Sequence, residues 1–392
     1  MKCIMYGLSV TSTATRGIKQ EFIFPNTNGL QMQIDSSLPN MSVFLDNYYE
    51  IEKVFEQNNV QRPFLCCGKS FQKTEVFEYL KQFSPVIFDN IRPNPRFDDM
   101  LTAAELFKAE NCDFMIAAGG GSPMDSAKMI RILTNNDAET ALYGKFENNN
   151  IKALFIPTTA GTGSEATKTS VFYLNEVHKY SVHSLEFIPD YVLFDESLLE
   201  TLPLYQRKAT CLDALCHSIE SYWSSKANDE SRGYAEKSIK LFFEHKDGYI
   251  NNTKEGNLGM LWASFYGGKA INLTGTVAPH ALCYNITMNC KTSHGHSVAV
   301  LLSKIYEYML EKDYPHELFD SFAKVMGGEK AEDALEIFNS ILDEFELEQP
   351  KFDESRLDEF VKEVNVAKLS TNPIAFDESD IKEIYRRLIN EV

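Results

Sequence analysis

Short apolar runs alternate with amphipathic stretches over the first half of this 392-residue chain. From Met41 onward, Tyr48–Gln57 predicts a helix and Pro63–Cys67 a short buried strand. Thr74–Phe83 reads as helix, Val86–Phe88 as strand and Arg96–Ala109 as helix. The run Asp113–Ala118 is an apolar strand that ends in three glycines, with a helix from Met124, and Leu154–Pro157 is a further strand. Apolar strands separated by helices predict a parallel sheet covered on both faces. Beyond about Leu202 the strand signals fade, and helical periodicity continues to Ile389. The pattern predicts an α/β segment over 41–201 and an all-helical segment over 202–392, with the seam near Pro203. Residues 1–40, rich in Ser, Thr, Asn and Gly, stay unassigned.

A hydrophobic content of 44% with 24% charged residues belongs to a globular chain able to bury a large core. Lys and Arg number 38 against 56 Asp and Glu, a net charge of −18. Such a surface repels phosphate backbones, and no basic block offsets it, so nucleic acid is not an expected partner. The eight cysteines show no CxxC spacing, as expected of reduced thiols in a cytosol. No apolar stretch approaches the roughly 18 residues that cross a bilayer, and the N-terminal residues lack a signal-peptide run. A cytoplasmic protein with no membrane partner is expected.

Three groups of residues carry candidate chemistry. In Gly119-Gly120-Gly121-Ser122-Pro123-Met124-Asp125-Ser126-Ala127-Lys128, glycines let backbone N–H groups approach an anion, and the helix that follows adds positive charge at its start. Ser122 suits the cap and Pro123 the first turn. A second loop, Pro157-Thr158-Thr159-Ala160-Gly161-Thr162-Gly163-Ser164-Glu165, follows the next strand. In a parallel sheet both loops fall at the carboxyl edge, where ligands bind. The third group is Asp213 and His217, four apart on a helix, with His280, His294 and His296 further on. One carboxylate and several imidazoles suit a divalent metal.

At these residues the chain resembles the iron-containing (group III) alcohol dehydrogenases, which share a fold with dehydroquinate synthase and glycerol dehydrogenase. The GGGSPMDSAK loop, the IPTTAGTGSE loop and the DALCHSIESYWS helix carry the resemblance, from about Met41 to the end. It implies a Rossmann-like dinucleotide-binding domain over 41–201 followed by an all-α metal and substrate domain over 202–392. Asp213, His217, His280 and His294 are implied to bind one Fe(II), or Zn(II) as in relatives. Gly120, Gly121, Ser122 and Asp125 are implied to face the pyrophosphate of NADPH or NADH. Thr158, Thr159, Asn94 in RPNP and Lys179 in HKYS match further cofactor contacts. Relatives commonly form homodimers or larger assemblies.

Two departures matter. Where NAD-selective relatives carry Asp, this chain has Gly68, within Cys66-Cys67-Gly68-Lys69-Ser70. Loss of that carboxylate removes repulsion against a 2′-phosphate, so NADPH use, or use of both cofactors, is expected. Where some relatives have a further His, this chain has Tyr284, and Tyr284 or His296 is the expected proton donor. Within the family, KAINLTGTVAPHALCY, SHGHSVAVLL and IESYWSS look most like phosphonoacetaldehyde reductases, which form 2-hydroxyethylphosphonate. If the segment before His280 is helical, Lys269, Asn272, Thr276 and His280 share one face. Asn272 and Thr276 would then meet the substrate, while Lys269 lies roughly 16 Å of rise away. Lys168 could assist from the α/β side. The alternative is a reductase for uncharged short aldehydes, of the butanol or propanediol type. A dehydroquinate synthase-like lyase or a non-redox metal protein is a remoter one.

Overall fold

The computed structural model describes residues 42–174, 178–364 and 369–389, so the unassigned stretch 1–40 lies outside the described residues. The first half contains β1 (Val43–Leu45), α1 (Glu50–Asn58), β2 (Pro63–Cys67), α2 (Glu75–Leu80), β3 (Val86–Phe88), α3 (Phe97–Ala109), β4 (Phe114–Gly119), α4 (Gly121–Leu133), α5 (Ala138–Leu142) and β5 (Lys152–Pro157). The ribbon β6 (Thr169–Leu174) and β7 (His178–His183) follows, and then β8 (Tyr191–Leu193).

Six strands form one parallel sheet in the order β1-β8-β5-β4-β2-β3. Every residue of β2 and β4 is buried, as helical cover on both faces requires of such apolar runs. Phe64, Met115, Ala117 and Phe155 share a core with Met100, Phe107, Met129 and Ile130 from α3 and α4. Each large side chain fully buried there contributes about 1.5–3 kcal/mol. β6 and β7 pair antiparallel, outside the main sheet. Helix α4 is capped by Gly120 rather than Ser122, so Ser122 and Pro123 lie inside its first turn.

The second half is helical: α6 (Leu204–Trp223), α7 (Asp229–Ile250), α8 (Lys254–Thr274), α9 (Ala278–Cys290), α10 (His294–Leu310), α11 (His316–Met326), α12 (Ala331–Glu344), α13 (Leu357–Glu363) and the last described helix, Glu378–Ile389. Helix α6 is buried on every side from Cys211 to Trp223, which makes it the axis of this half. Among the described residues no helix is long and apolar enough to cross a membrane. The described cysteines are all free thiols.

The helical stripe expected before His280 does not form. α8 stops at Thr274, Gly275 turns the chain at φ 73°, and α9 starts afresh with Pro279 in its first turn. Lys269 therefore shares no face with His280. Its Nζ lies 5.2 Å from the centre of the Tyr234 ring on α7.

Candidate active site between the two halves

The sheet order places three loops side by side. β5, β4 and β2 are neighbours and parallel, so Thr158–Thr159, Gly120–Ser122 and Gly68 leave the same edge in a row. Thr158 N donates to Gly119 O at 2.9 Å. A Cβ on Gly120 would stand 3.1 Å from Thr159 Oγ1, so a side chain there would fill the cradle between the two loops. The start of α4 opens onto this cradle, with backbone N–H groups and the positive end of the helix dipole.

Asp125 has another task than pyrophosphate contact. Ser164 Oγ donates to its Oδ1 at 2.8 Å and Val171 N to its Oδ2 at 3.2 Å. The buried Lys128 Nζ donates to Ser164 Oγ (2.8 Å), Thr167 Oγ1 (3.0 Å) and Thr169 O (2.7 Å), and lies 3.5 Å from Asp125 Oδ1. Burial drives the Lys128 pKa down and that of Asp125 up, and each partly offsets the shift of the other. This pair joins the two loops from behind. The sequence motif contained Lys128, yet only the fold shows what it holds.

The second loop also ties the halves together. Ser264 Oγ of α8 accepts from Gly163 N at 3.0 Å, and Asn272 Oδ1 accepts from Lys168 N at 2.7 Å. Asn272 is thereby engaged by the protein itself. Thr276 lies half-buried in the turn between α8 and α9.

Below the loops, Asp213 and His217 leave α6, His280 leaves the first turn of α9, and His294 opens α10. Asp213 Oδ1 stands 3.4 Å from His280 Nε2 and 3.9 Å from His294 Nε2. Ligand atoms of these three residues all fall within 4.8 Å of one another. His217 stays outside that close set: its ring stacks on His280 at 4.6 Å. The arrangement fits a cation on physical grounds. Buried polar atoms are normally paired, and Ser218 and Ser221 of α6 are, through Ser238 Oγ and Thr274 Oγ1. Asp213 Oδ1, His217 Nδ1 and His280 Nε2 are buried without a hydrogen-bond partner, and all three are metal-ligating atoms.

Charge follows this geometry. Burial opposes ionisation of Asp213, but the three imidazoles hold its carboxyl well below the usual range. Burial also pulls His280 down, yet the Glu220 and Asp213 carboxylates lift it above the ordinary histidine value. His294 is pushed down by burial, with contributions from His280 and from the Lys179 ammonium. Lys179, on β7, thus bears on the imidazole cluster. Asn94 adopts φ 65° beyond β3, and its Nδ2 approaches Met288 Sδ of α9 at 3.9 Å.

The two candidate proton donors fare differently. Tyr284 lies one turn beyond His280 and stacks on Tyr173 of β6 at 6.2 Å, with its pKa raised by burial and by the Glu363 carboxylate. His296 is not brought to the cluster. Its Nε2 donates to Glu348 O (2.8 Å) and its Nδ1 faces Tyr205 OH (3.0 Å), so both ring nitrogens are occupied in the wall of the helical half. Residues two apart on a helix point to different faces, and His294 takes the inward one.

Close packing sets this geometry. A Cβ on Gly295 would fall 2.0 Å from Ala209 O and 2.9 Å from Asp213 Cβ. Gly295→Ala is expected to push α10 off α6, at a cost of about 1–3 kcal/mol, and to separate His294 from Asp213. Urea unfolding would show the lost stability and metal titration the weakened site. Unchanged behaviour in both would mean the two helices tolerate the extra carbon.

Residues 39–196 match a family model described as iron-containing alcohol dehydrogenase, and residues 208–389 match that of the C-terminal part of the same family. The chain is 26% identical to alcohol dehydrogenase 4 of Schizosaccharomyces pombe over 92% of each protein. It is 29% identical to 1,3-propanediol dehydrogenase of Klebsiella pneumoniae over 64% of this chain and 67% of the relative. Its fold overlays an iron-containing alcohol dehydrogenase from Thermotoga maritima with a TM-score of 0.78 at 27% identity, covering 89% of this chain and 97% of the other. A sulfoacetaldehyde reductase from Bifidobacterium kashiwanohense, solved with NAD+, overlays with a TM-score of 0.83 at 23% identity, covering 92% and 100%.

Proposed function

The chain belongs to the iron-containing alcohol dehydrogenase family, an oxidoreductase family, and from that premise we propose that it reduces phosphonoacetaldehyde to 2-hydroxyethylphosphonate with NADPH or NADH. The observation that carries the metal-dependent redox reading is the close set Asp213, His280 and His294, with Asp213 Oδ1 and His280 Nε2 buried and without hydrogen-bond partners. A divalent iron or zinc ion held by Asp213, His217, His280 and His294 would polarise the carbonyl oxygen as a Lewis acid. The reduced nicotinamide would supply the hydride, so that aldehyde, NAD(P)H and one proton give alcohol and NAD(P)+.

The chain's own residues do the rest. Gly120, Gly121 and Ser122 offer backbone N–H groups to the pyrophosphate, with Thr158 and Thr159 on the other side of the cradle. Gly68 leaves room and no repulsion for a 2′-phosphate. Contacts of Gly163 and Lys168 with α8 tie the cradle to the helical half, the kind of support that near-attack positioning of two reactants would need. Tyr284, one turn beyond His280 and against Tyr173, would be the proton donor to the oxygen that gains charge.

For the head group, one candidate is Lys179, an exposed cationic side chain on β7. Thr276, in the turn leading to α9, remains a substrate contact in this reading; Lys269, turned to α7, does not. A second reading is a reductase for short uncharged aldehydes, favoured by two relatives at 29% identity named 1,3-propanediol dehydrogenase and lactaldehyde reductase.

The test is kcat/KM for phosphonoacetaldehyde beside propionaldehyde on the Fe(II)-loaded protein. A preference of at least about a hundredfold, some 2.7 kcal/mol, is expected for the phosphonate. Equal rates, or a preference for propionaldehyde, would replace the proposal with the second reading.

A further inference from the structure

Glu220 lies on α6, seven residues after Asp213 and three after His217, and is completely buried. A carboxylate in such a place needs partners for both oxygens. Oε2 accepts from Val277 N at 2.7 Å, immediately before α9, and Oε1 makes a very short contact with His280 Nδ1. The other ring nitrogen, Nε2, is the orphaned atom that faces Asp213 Oδ1.

We infer that Glu220 is a positioning residue that fixes the tautomer and orientation of His280, so that this ring presents Nε2 to a divalent cation. In the neutral ring the proton stays on Nδ1, donated to Glu220, and the lone pair falls on Nε2. The same carboxylate, through Val277 N, pins the start of α9 to α6. One side chain thus controls both which nitrogen faces Asp213 and where the ring stands. The three histidines differ in this respect. His294 Nδ1 has the Cys283 thiol at 3.6 Å. Among them, His280 alone has its Nδ1 bonded to a carboxylate. This inference rests on the metal reading above and extends it to a residue that binds neither metal nor substrate.

Glu220→Gln has nearly the same shape and separates the two roles. An amide has one acceptor oxygen. If that oxygen serves Val277 N, the NH2 group faces His280 Nδ1 and favours the ring with its proton on Nε2, which cannot ligate. Zn(II) titration of the wild type and of Glu220→Gln is the experiment, with urea unfolding of the metal-free proteins alongside. A dissociation constant raised about 10–100-fold in a variant that unfolds like the wild type is expected. Equal affinities would overturn the inference while leaving the metal site intact. If the wild type itself binds no Zn(II) or Fe(II), the metal reading fails, and this inference with it. Should the variant not fold, nitrogen NMR of histidine-labelled, Zn(II)-loaded wild type decides. A proton on His280 Nδ1 supports the inference, and a proton on Nε2 overturns it.

Discussion

Asp213→Asn is expected to lower kcat/KM by at least about three orders of magnitude, some 4 kcal/mol of transition-state stabilisation, and to strip the purified protein of metal. Asp213 is buried, and its Oδ1 stands 3.4 Å from His280 Nε2 and 3.9 Å from His294 Nε2. Of the four proposed ligands it alone brings a negative charge, and that charge offsets the cost of placing a cation in a dry site. The amide keeps the shape and removes the charge. Metal analysis after dialysis, with circular dichroism to establish folding, measures the effect. A folded variant with unchanged metal content and activity would remove Asp213 from the site.

The second large effect is one of stability. Lys128→Met is expected to cost about 3–5 kcal/mol, because it leaves the Asp125 carboxylate behind the loops without its cation. The ammonium is fully buried and bonds Ser164, Thr167 and Thr169, residues that carry the second loop into β6. Its loss should loosen the cradle as well, so the dissociation constant for NAD(P)H is expected to rise. Adding Asp125→Asn to Lys128→Met should restore part of the stability, since the unpaired charge is then gone. Urea unfolding of both single variants and the double variant measures the coupling. A loss below about 1 kcal/mol for Lys128→Met would mean that the pair contributes nothing beyond the surrounding contacts.

The difference between what the sequence showed and what it hid has physical causes. β2 and β4 are unbroken apolar runs because helices cover both faces, and such runs are visible without any partner. The glycine loop and the Thr-rich loop could therefore be placed at one edge before the strand order was known. β1 and β8, three residues each, stand without the flanking turn signals and helices that revealed the equally short β3, and the β6–β7 ribbon lies outside the main sheet. The stripe from Lys269 to His280 failed for a reason present in the sequence. Gly275 and Pro279 are stop and start signals, and they outweigh a periodicity drawn across them.

The site shows the same division. Asp213, His217, His280 and His294 stood out as ligand types in one half, and the fold brings Asp213, His280 and His294 within 4.8 Å of one another with His217 stacked on His280; that they hold a metal is the proposal. Glu220 was missed although it had a signal. It stands in Ala214–Trp223, on the same buried helix as the ligands, and an acid there must answer to something. Asp125 was given to the cofactor because its loop was, whereas the three-dimensional partners turn it to Lys128 and Ser164. His296 shows the limit of spacing as a guide. Two residues from His294, it serves the opposite side of the helix, where Tyr205 and the Glu348 carbonyl use both nitrogens.

Hydride transfer should depend on the Asp–His cluster. The measurement is to strip the protein with a chelator, restore Fe(II) without oxygen, and supply an aldehyde with reduced nicotinamide carrying deuterium at the transferable position. Deuterium on the carbinol carbon of the product, formed at one equivalent per cofactor oxidised and only after metal is restored, is the predicted result. Equal transfer by the stripped protein, or no transfer to phosphonoacetaldehyde, propionaldehyde or lactaldehyde from either NADPH or NADH after metal is restored, would contradict it.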